Sequence, residues 1–267
     1  MIRVCLAGAT GWAGSALARG IAATAPDIAL LSAVARNSAG QTLGDALGDD
    51  RLTAPIFASA DEALAQHAVD VLVEFTKPNV AKRNVLTALR HGAHVVIGTS
   101  GLTDDDLAEI DRQARERQRG VLAVGNFSIT AVLLLKFAQM AARLIPHWEI
   151  VEYAHDDKAD APSGTVRELA ARLSQVRQAE RAVPVERTVG PREVRGATLG
   201  GTQVHSIRLP GYVISVETIF GLPDQRLSIR HDAGSSAKPY VDGAILAIRK
   251  VPELTGVHRG LDVALDL

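Results

Sequence analysis

The chain has 267 residues, 47% apolar and 22% charged, with a formal net charge of -1; this composition suits an ordinary globular protein of one large or two modest domains. So even a balance gives no electrostatic case for nucleic acid or an anionic membrane surface as a partner. The single cysteine, Cys5, forbids an internal disulfide and points to a reducing compartment; with no basic, long-apolar leader and no bilayer-length apolar run, a cytoplasmic protein is expected.

In chain order, "IRVCLAGATGWAGSALARGIAATA" predicts a strand, a glycine turn and a helix: Ile2, Val4 and Leu6 are strand-like, and Ala16 to Ala23 are mostly strong helix formers. "IALLSAVAR" predicts a second strand and "NSAGQTLGDALG" a glycine-broken loop. A short helix at "DEALAQH" precedes "VDVLVEFT", an apolar run typical of a buried parallel strand. "NVAKRNVLTALRHG" predicts a helix ending on Gly92. "HVVIGTSG" is a strand, "TDDDLAEIDRQARERQ" a helix with Thr103 as N-cap, and "GVLAVGNFS" a further strand.

Strands and helices alternating over short connections predict an α/β fold, a Rossmann-type doubly wound parallel sheet. After Phe127 the pattern changes. "ITAVLLLKFAQMAARLI" is a long helix, "EIVEYAHD" a strand, and "APSGT" a break before a helix to about Gln178. "GTQVHSIRLPG", "YVISVETIFG" and "QRLSIRHDA" then alternate in the manner of antiparallel strands. The expected organisation is a dinucleotide-binding domain over residues 1–126 and a second, α+β substrate domain over 127–236. Residues 237–267, with the helix "KPYVDGAILAIRKV", return to the first domain.

Gly8, Gly11 and Gly14 give G-x-x-G-x-x-G between the first strand and the first helix. Glycine allows a tight turn and close approach to a pyrophosphate, while the helix start supplies N–H donors. Three glycines alone make only a tight loop; the strand–loop–helix context turns it into a nucleotide site. The second strand ends Val34-Ala35-Arg36, where an NAD site would offer an acid to the ribose. A guanidinium there, followed by Asn37 and Ser38, suits a 2′-phosphate, so NADPH is expected over NADH.

Several further segments converge: "VDVLVEFTKP", "HVVIGTSGLTDDDL", "VGNFSIT", "KADAPSGT", "LSIRHDAGSS" and "DGAILAI". On these the chain resembles, over nearly its whole length, the 4-hydroxy-tetrahydrodipicolinate reductase (dihydrodipicolinate reductase) family of lysine and diaminopimelate biosynthesis. "DAPSGT" with a lysine two positions before its aspartate is the most specific segment. The resemblance implies an NAD(P)H-dependent oxidoreductase passing hydride to an imine-type carboxylate, and often a homotetramer built through the second domain. It puts cofactor contacts on Gly8, Ala9, Thr10, Gly11, Trp12 and Ala13, on Ala35 and Arg36, on Gly98, Thr99 and Ser100, and on Val124, Gly125, Asn126 and Phe127. Substrate contacts fall on His155, Lys158, Ser163, Gly164 and Thr165, with Thr99 beside them, and Lys158 and His155 are the catalytic candidates.

The residues read alone agree. Gly164 and Thr165 sit where a helix begins, with Thr165 and Glu168 at capping-box spacing, so their N–H groups can take a carboxylate. Lys158 can give a proton to nitrogen as hydride reaches the imine carbon; a surface lysine paired with Asp156, Asp157 or Asp160 is the plain alternative. The chain also departs from the family. Ala154 in "EYAHDDK" stands where the family has the first of two adjacent histidines, its proposed acid–base residue. Trp12-Ala13 replaces Arg-Met, and Ile214-Ser215-Val216 stands where the family has Gly-Glu-His, leaving Glu217 as the ionisable group nearby. Either Lys158 alone suffices as donor, or the chain is a paralogue acting on another imine or carbonyl. The loss of polar groups at 214–216 tilts toward the second and predicts weak turnover of the family's own substrate. A third reading, a non-catalytic NADP-binding redox sensor, would not need the retained "DAPSGT" site.

Other dehydrogenase classes fail on residues. Semialdehyde reductases share a loop like "GATGWAG" but need a nucleophilic cysteine in the second domain, and Cys5 lies on the first strand. Tyr153, Tyr212 and Tyr240 all lack the lysine of a Tyr-x-x-x-Lys pair. His155 beside Asp156 and Asp157 has no second ligand cluster, so no metal is expected.

Overall fold

The computed structural model describes residues 1–265. Residues 266 and 267, the end of the segment expected to return to the first domain, lie outside the described residues. The chain forms two compact units, one of Met1–Ile129 with residues 237–265, the other of Thr130–Ser236.

In the first unit, β1 (Ile2–Ala7) leads through the glycine loop into α1 (Trp12–Thr24), and β2 (Ile28–Val34) follows. A five-residue helix, α2 (Leu43–Leu47), β3 (Ile56–Phe57), α3 (Ala60–Gln66), β4 (Val71–Glu74), α4 (Pro78–Arg90), β5 (His94–Ile97), α5 (Asp104–Glu116) and β6 (Gly120–Ala123) complete its first pass. With β12 (Gly256–Arg259) from the end of the chain, all strands of this sheet are parallel, in the order β12-β6-β5-β4-β1-β2-β3. The apolar strand runs are buried on both faces, as parallel strands require. Cys5, Leu72, Val95, Ile97 and Val121 pack with Leu64, Val85 and Ile110 of the covering helices. The chain steps outward from β1 to β3 on one side, then restarts at β4 on the other side of β1. That reversal opens a crevice at the carboxyl ends of β1 and β4, where open α/β sheets bind ligands.

The second unit follows from α6 (Ile129–Leu144). It continues with β7 (His147–Ala154), α7 (Gly164–Val176), β8 (Ala197–Leu199), β9 (Thr202–Arg208), β10 (Ile214–Leu222) and β11 (Gln225–Ala233), in the sheet order β11-β10-β7-β9-β8. Alternation along β7 sends Trp148, Ile150, Glu152 and Ala154 to the buried face. There Trp148 and Ile150 join Leu134 and Leu135 of α6, Leu169 and Leu173 of α7, and Phe220 of β10. The chain then returns to the first unit as α8 (Lys238–Lys250) and β12 (Gly256–Arg259), which pairs with β6.

Three local expectations need correction. β9 runs parallel to β7, because the connection between them carries α7 as a crossover; period-two alternation reports faces, not direction. The glycine-broken loop contains α2, closed by a Thr42–Asp45 capping box. β12, four residues long, falls in "LTGVHRG", which has no apolar run to announce it.

Candidate active site

Gly8 follows β1 at the crevice with φ 82°, a left-handed conformation that costs a side-chain-bearing residue dearly. A β-carbon at Gly8 would meet the Phe75 carbonyl, and one at Gly14 the Gly8 carbonyl. The loop is therefore flattened against β4. α1 starts from Gly11 with no side-chain cap, so the Trp12 and Ala13 N–H groups keep no protein acceptor among the described residues. A bare helix start of this kind takes phosphate.

Two cavities adjoin the loop and share Phe75 and Thr76 in their walls. The larger, about 430 Å3, is lined by Gly8, Thr10, Gly11, Arg36, Asn37, Lys77 and Arg83, among others. The smaller, about 210 Å3, is lined by Ala13, Gly98, Thr99, Ser100, Gly125, Phe127 and Tyr240. Four expected contact residues line neither. Ala9 and Val124 are buried beneath the loops, and Asn126 turns its Oδ1 to the Ser128 N–H at 2.9 Å. Trp12 is 60% exposed and sets its ring edge against Tyr240, centroids 5.5 Å apart.

Glu74, at the end of β4, is fully buried and was not singled out in the sequence. Its carboxylate accepts from the Thr76 N–H at 2.7 Å, the Asn84 amide at 2.8 Å and the Thr99 hydroxyl at 3.3 Å. Burial pushes this carboxyl above its ordinary range, against those hydrogen bonds. An acid inside an apolar strand must be satisfied, which is the signal that could have found it. Its effect is to fix Thr76 and Thr99, both in the smaller cavity's wall.

In the second unit β7 stops at Ala154 and an acidic loop follows. His155 is exposed, with its Nδ1 against the Asp157 carboxylate, and the Lys158 ammonium pairs with Asp160. Ser163 caps α7: its Oγ accepts from the Val166 N–H at 3.4 Å. The expected Thr165–Glu168 box is thus corrected, because the helix begins at Gly164 and Thr165 already lies in its first turn; Glu168 instead pairs with Arg172. The Gly164 and Thr165 N–H groups keep no protein acceptor among the described residues, and so remain the anion donors that their position suggested.

What holds this loop is an ion pair, between buried Glu152 and half-buried Arg208, that the sequence did not reveal. Arg208 Nη2 donates to Glu152 and to the Asp160 carbonyl, both at 2.7 Å, and its Nε to the Lys158 carbonyl at 3.3 Å. Glu152 also accepts from the Ser163 N–H at 2.9 Å and the Ser206 hydroxyl at 2.7 Å. Burial pushes the Glu152 carboxyl up, yet the hydrogen bonds from Ser206, Ser163 and Arg208 outweigh it and hold the carboxyl below its ordinary range. Lys158 and the Ser163 cap are therefore positioned by one ion pair.

Ala154 is fully buried and lies directly across from Ile214 in the β7–β10 register, as Glu152 lies across from Val216. The Ser215 hydroxyl donates to Asp232 at 2.6 Å. Two departures some sixty positions apart in the sequence are thus one apolar cross-strand pair. Burial pushes the Cys5 thiol up to about 12, which removes it as a nucleophile.

A family model described as dihydrodipicolinate reductase, N-terminus, matches residues 2–127, and one described as dihydrodipicolinate reductase, C-terminus, matches residues 130–263. The chain is 36% identical over 266 residues to a curated 4-hydroxy-tetrahydrodipicolinate reductase of Halalkalibacterium halodurans, covering 100% of both. It is 40% identical over 214 residues to that of Oceanobacillus iheyensis, covering 80% of both. Among solved structures, a dipicolinate-bound dihydrodipicolinate reductase from Paenisporosarcina superposes with a TM-score of 0.86 at 29% identity over 98% of each chain. An amine dehydrogenase from Mycobacterium smegmatis, at TM-score 0.68 and 16% identity over 98% of this chain and 95% of its own, shares the fold.

Proposed function

The chain belongs to the dihydrodipicolinate reductase family, and from that premise we propose that it reduces 4-hydroxy-tetrahydrodipicolinate in lysine and diaminopimelate biosynthesis, using NADPH in preference to NADH. Relatives that match over their full length favour the family's own substrate over the different imine that the change at 214–216 allows. The larger cavity suits a dinucleotide phosphate: its wall holds Arg36, Lys77 and Arg83 and no acid. Gly8 to Ala13 would hold the pyrophosphate, Arg36 the 2′-phosphate, and Gly98 to Ser100 with Gly125 and Phe127 the nicotinamide end. When bound, the reduced nicotinamide supplies the hydride.

This chain's own part is to bind and to protonate. The Gly164 and Thr165 N–H groups take a substrate carboxylate at the start of α7, and His155, turned from Asp157, donates to the same group. Lys158, exchanging Asp160 for substrate, gives its proton to the ring nitrogen as the conjugated ring, its 4-hydroxyl lost as water, gains hydride at carbon. The observation that carries the proposal is the Glu152–Arg208 pair, which ties the proton donor and the anion-binding helix start to one anchor.

Residues 1–126 and 237–267 are assigned to the cofactor, and residues 127–236 to substrate and to assembly as a homotetramer. Val151, Tyr153 and Ile219 stand half-buried on the sheet face opposite the second unit's core, a surface suited to a second copy. A cytoplasmic setting accords with the lone buried thiol. Among the described residues no helix is long and apolar enough to cross a membrane.

The test is NADPH oxidation by the purified chain with the substrate generated in situ, beside a panel of cyclic imines and of oxo-acids with ammonia. Robust turnover of the family substrate is expected. Turnover of another imine alone would make the chain a paralogue, and inertness toward all of them would leave a cofactor-binding sensor.

A further inference from the structure

α4 carries two adjacent cations with different surroundings. The Lys82 ammonium lies 2.8 Å from Asp106 and 2.7 Å from Glu109 of α5. Arg83 has no carboxylate partner among the described residues and lines the cavity beside the glycine loop. It meets there Arg36, from the turn after β2, and Lys77, which precedes α4; neither of these is in an ion pair among the described residues, and no Asp or Glu lines the cavity. The chain has 29 basic and 30 acidic residues, so three unpaired cations around one cavity are not the by-product of a basic protein. Like charges held together by the fold mark a place for an anion.

A dinucleotide without a 2′-phosphate brings only its pyrophosphate, which the glycine loop and the start of α1 already serve. Ala35 offers nothing to a bare ribose. The remaining cations match a further phosphate on the adenosine side, which carries close to two negative charges. We propose that Arg83 is a second 2′-phosphate contact, forming a clamp with Arg36, so that NADPH specificity is set by two guanidinium groups from separate elements. The proposal rests on the NADPH reading above and adds to it that neither arginine alone sets the preference.

Binding of two fragments to the full-length chain, adenosine 2′,5′-bisphosphate and adenosine 5′-monophosphate, tests the clamp without turnover. Arg83→Ala should weaken the bisphosphate roughly tenfold, the scale of one charge-assisted contact, and leave the monophosphate within about twofold. Arg36→Ala should do likewise, the double variant should bind both fragments alike, and Arg83→Lys should recover part of the loss. Arg83 is exposed, and an unchanged melting temperature separates a binding loss from a folding loss. Equal losses for both fragments would make Arg83 a general phosphate attractor and overturn the clamp, as would an Arg83→Ala variant that keeps the full preference; the NADPH reading survives either result. A wild-type chain that binds both fragments alike overturns the clamp and the NADPH preference together.

Discussion

At Lys158 the proton chemistry and an ordinary ion pair compete for one ammonium group. Asp160, its partner, is the more exposed of the two and can yield to the substrate at little cost, since exposed pairs contribute about 0–1 kcal/mol. Lys158→Ala should lower kcat by roughly 10²–10⁴-fold, the usual worth of a positioned proton donor, with NADPH affinity unchanged in a binding titration. A near-normal kcat with a raised KM would make Lys158 a carboxylate anchor instead. Glu152 and Arg208 act one layer below. Arg208→Ala leaves a buried carboxylate without its counter-charge and should cost about 3 kcal/mol in denaturant unfolding. Because the folded state holds the Glu152 carboxyl low, its ionised form contributes stability above about pH 4.3, the unfolded value. That contribution is lost as the pH falls through the lower folded value. Glu152→Gln should therefore flatten the acid limb of the stability curve, measured as unfolding free energy against pH; an acid limb identical to wild type would remove Glu152 from that account.

At the scale of elements, the β7–β10 pairing decides what position 154 can hold. Directly opposed residues bring their β-carbons within about 5 Å, so an imidazole at 154 meets the Ile214 side chain. Ala154→His should cost about 1–3 kcal/mol by overpacking, and adding Ile214→Ala should recover most of it. The double variant, with room for the ring, should also raise kcat on the family substrate. If the single variant melts like wild type, the space beside Ala154 is open and the cross-strand account fails. What the sequence disclosed follows the same lines. The glycine loop, the α7 start and Arg36 were legible because their chemistry is local: a spacing, a break, a strand end. The Ala154–Ile214 and Glu152–Arg208 pairs were not, because register and the parallel run of β9 arise from a crossover that alternation does not encode. Glu74 and Arg83, and the place of Tyr240 in a cavity wall, went unseen for a related reason. Each sits on an ordinary strand or helix, and only the sheet order brings it to a cavity.

As a whole, the molecule builds its first unit from both ends of the chain. β12 extends the sheet beside β6, α8 packs on α1, and Arg249 holds Asp27 through two bonds of 2.7 and 2.8 Å across 222 positions. Tyr240 lines the smaller cavity. A chain ended after Ser236 keeps the whole glycine loop, yet it should lose NADPH binding in a titration and cooperative melting of the parallel sheet by circular dichroism. Retained binding would mean that α8 and β12 are accessory. The same arrangement sets a schedule for synthesis. Six strands of the parallel sheet leave the ribosome before residue 124, and the seventh about 130 residues later, a wait on the order of ten seconds at ordinary translation speed. Through that interval the edge of β6 that β12 will pair with has no partner. An unpaired strand edge is a template for mispairing, and this one stays open until the last strand arrives.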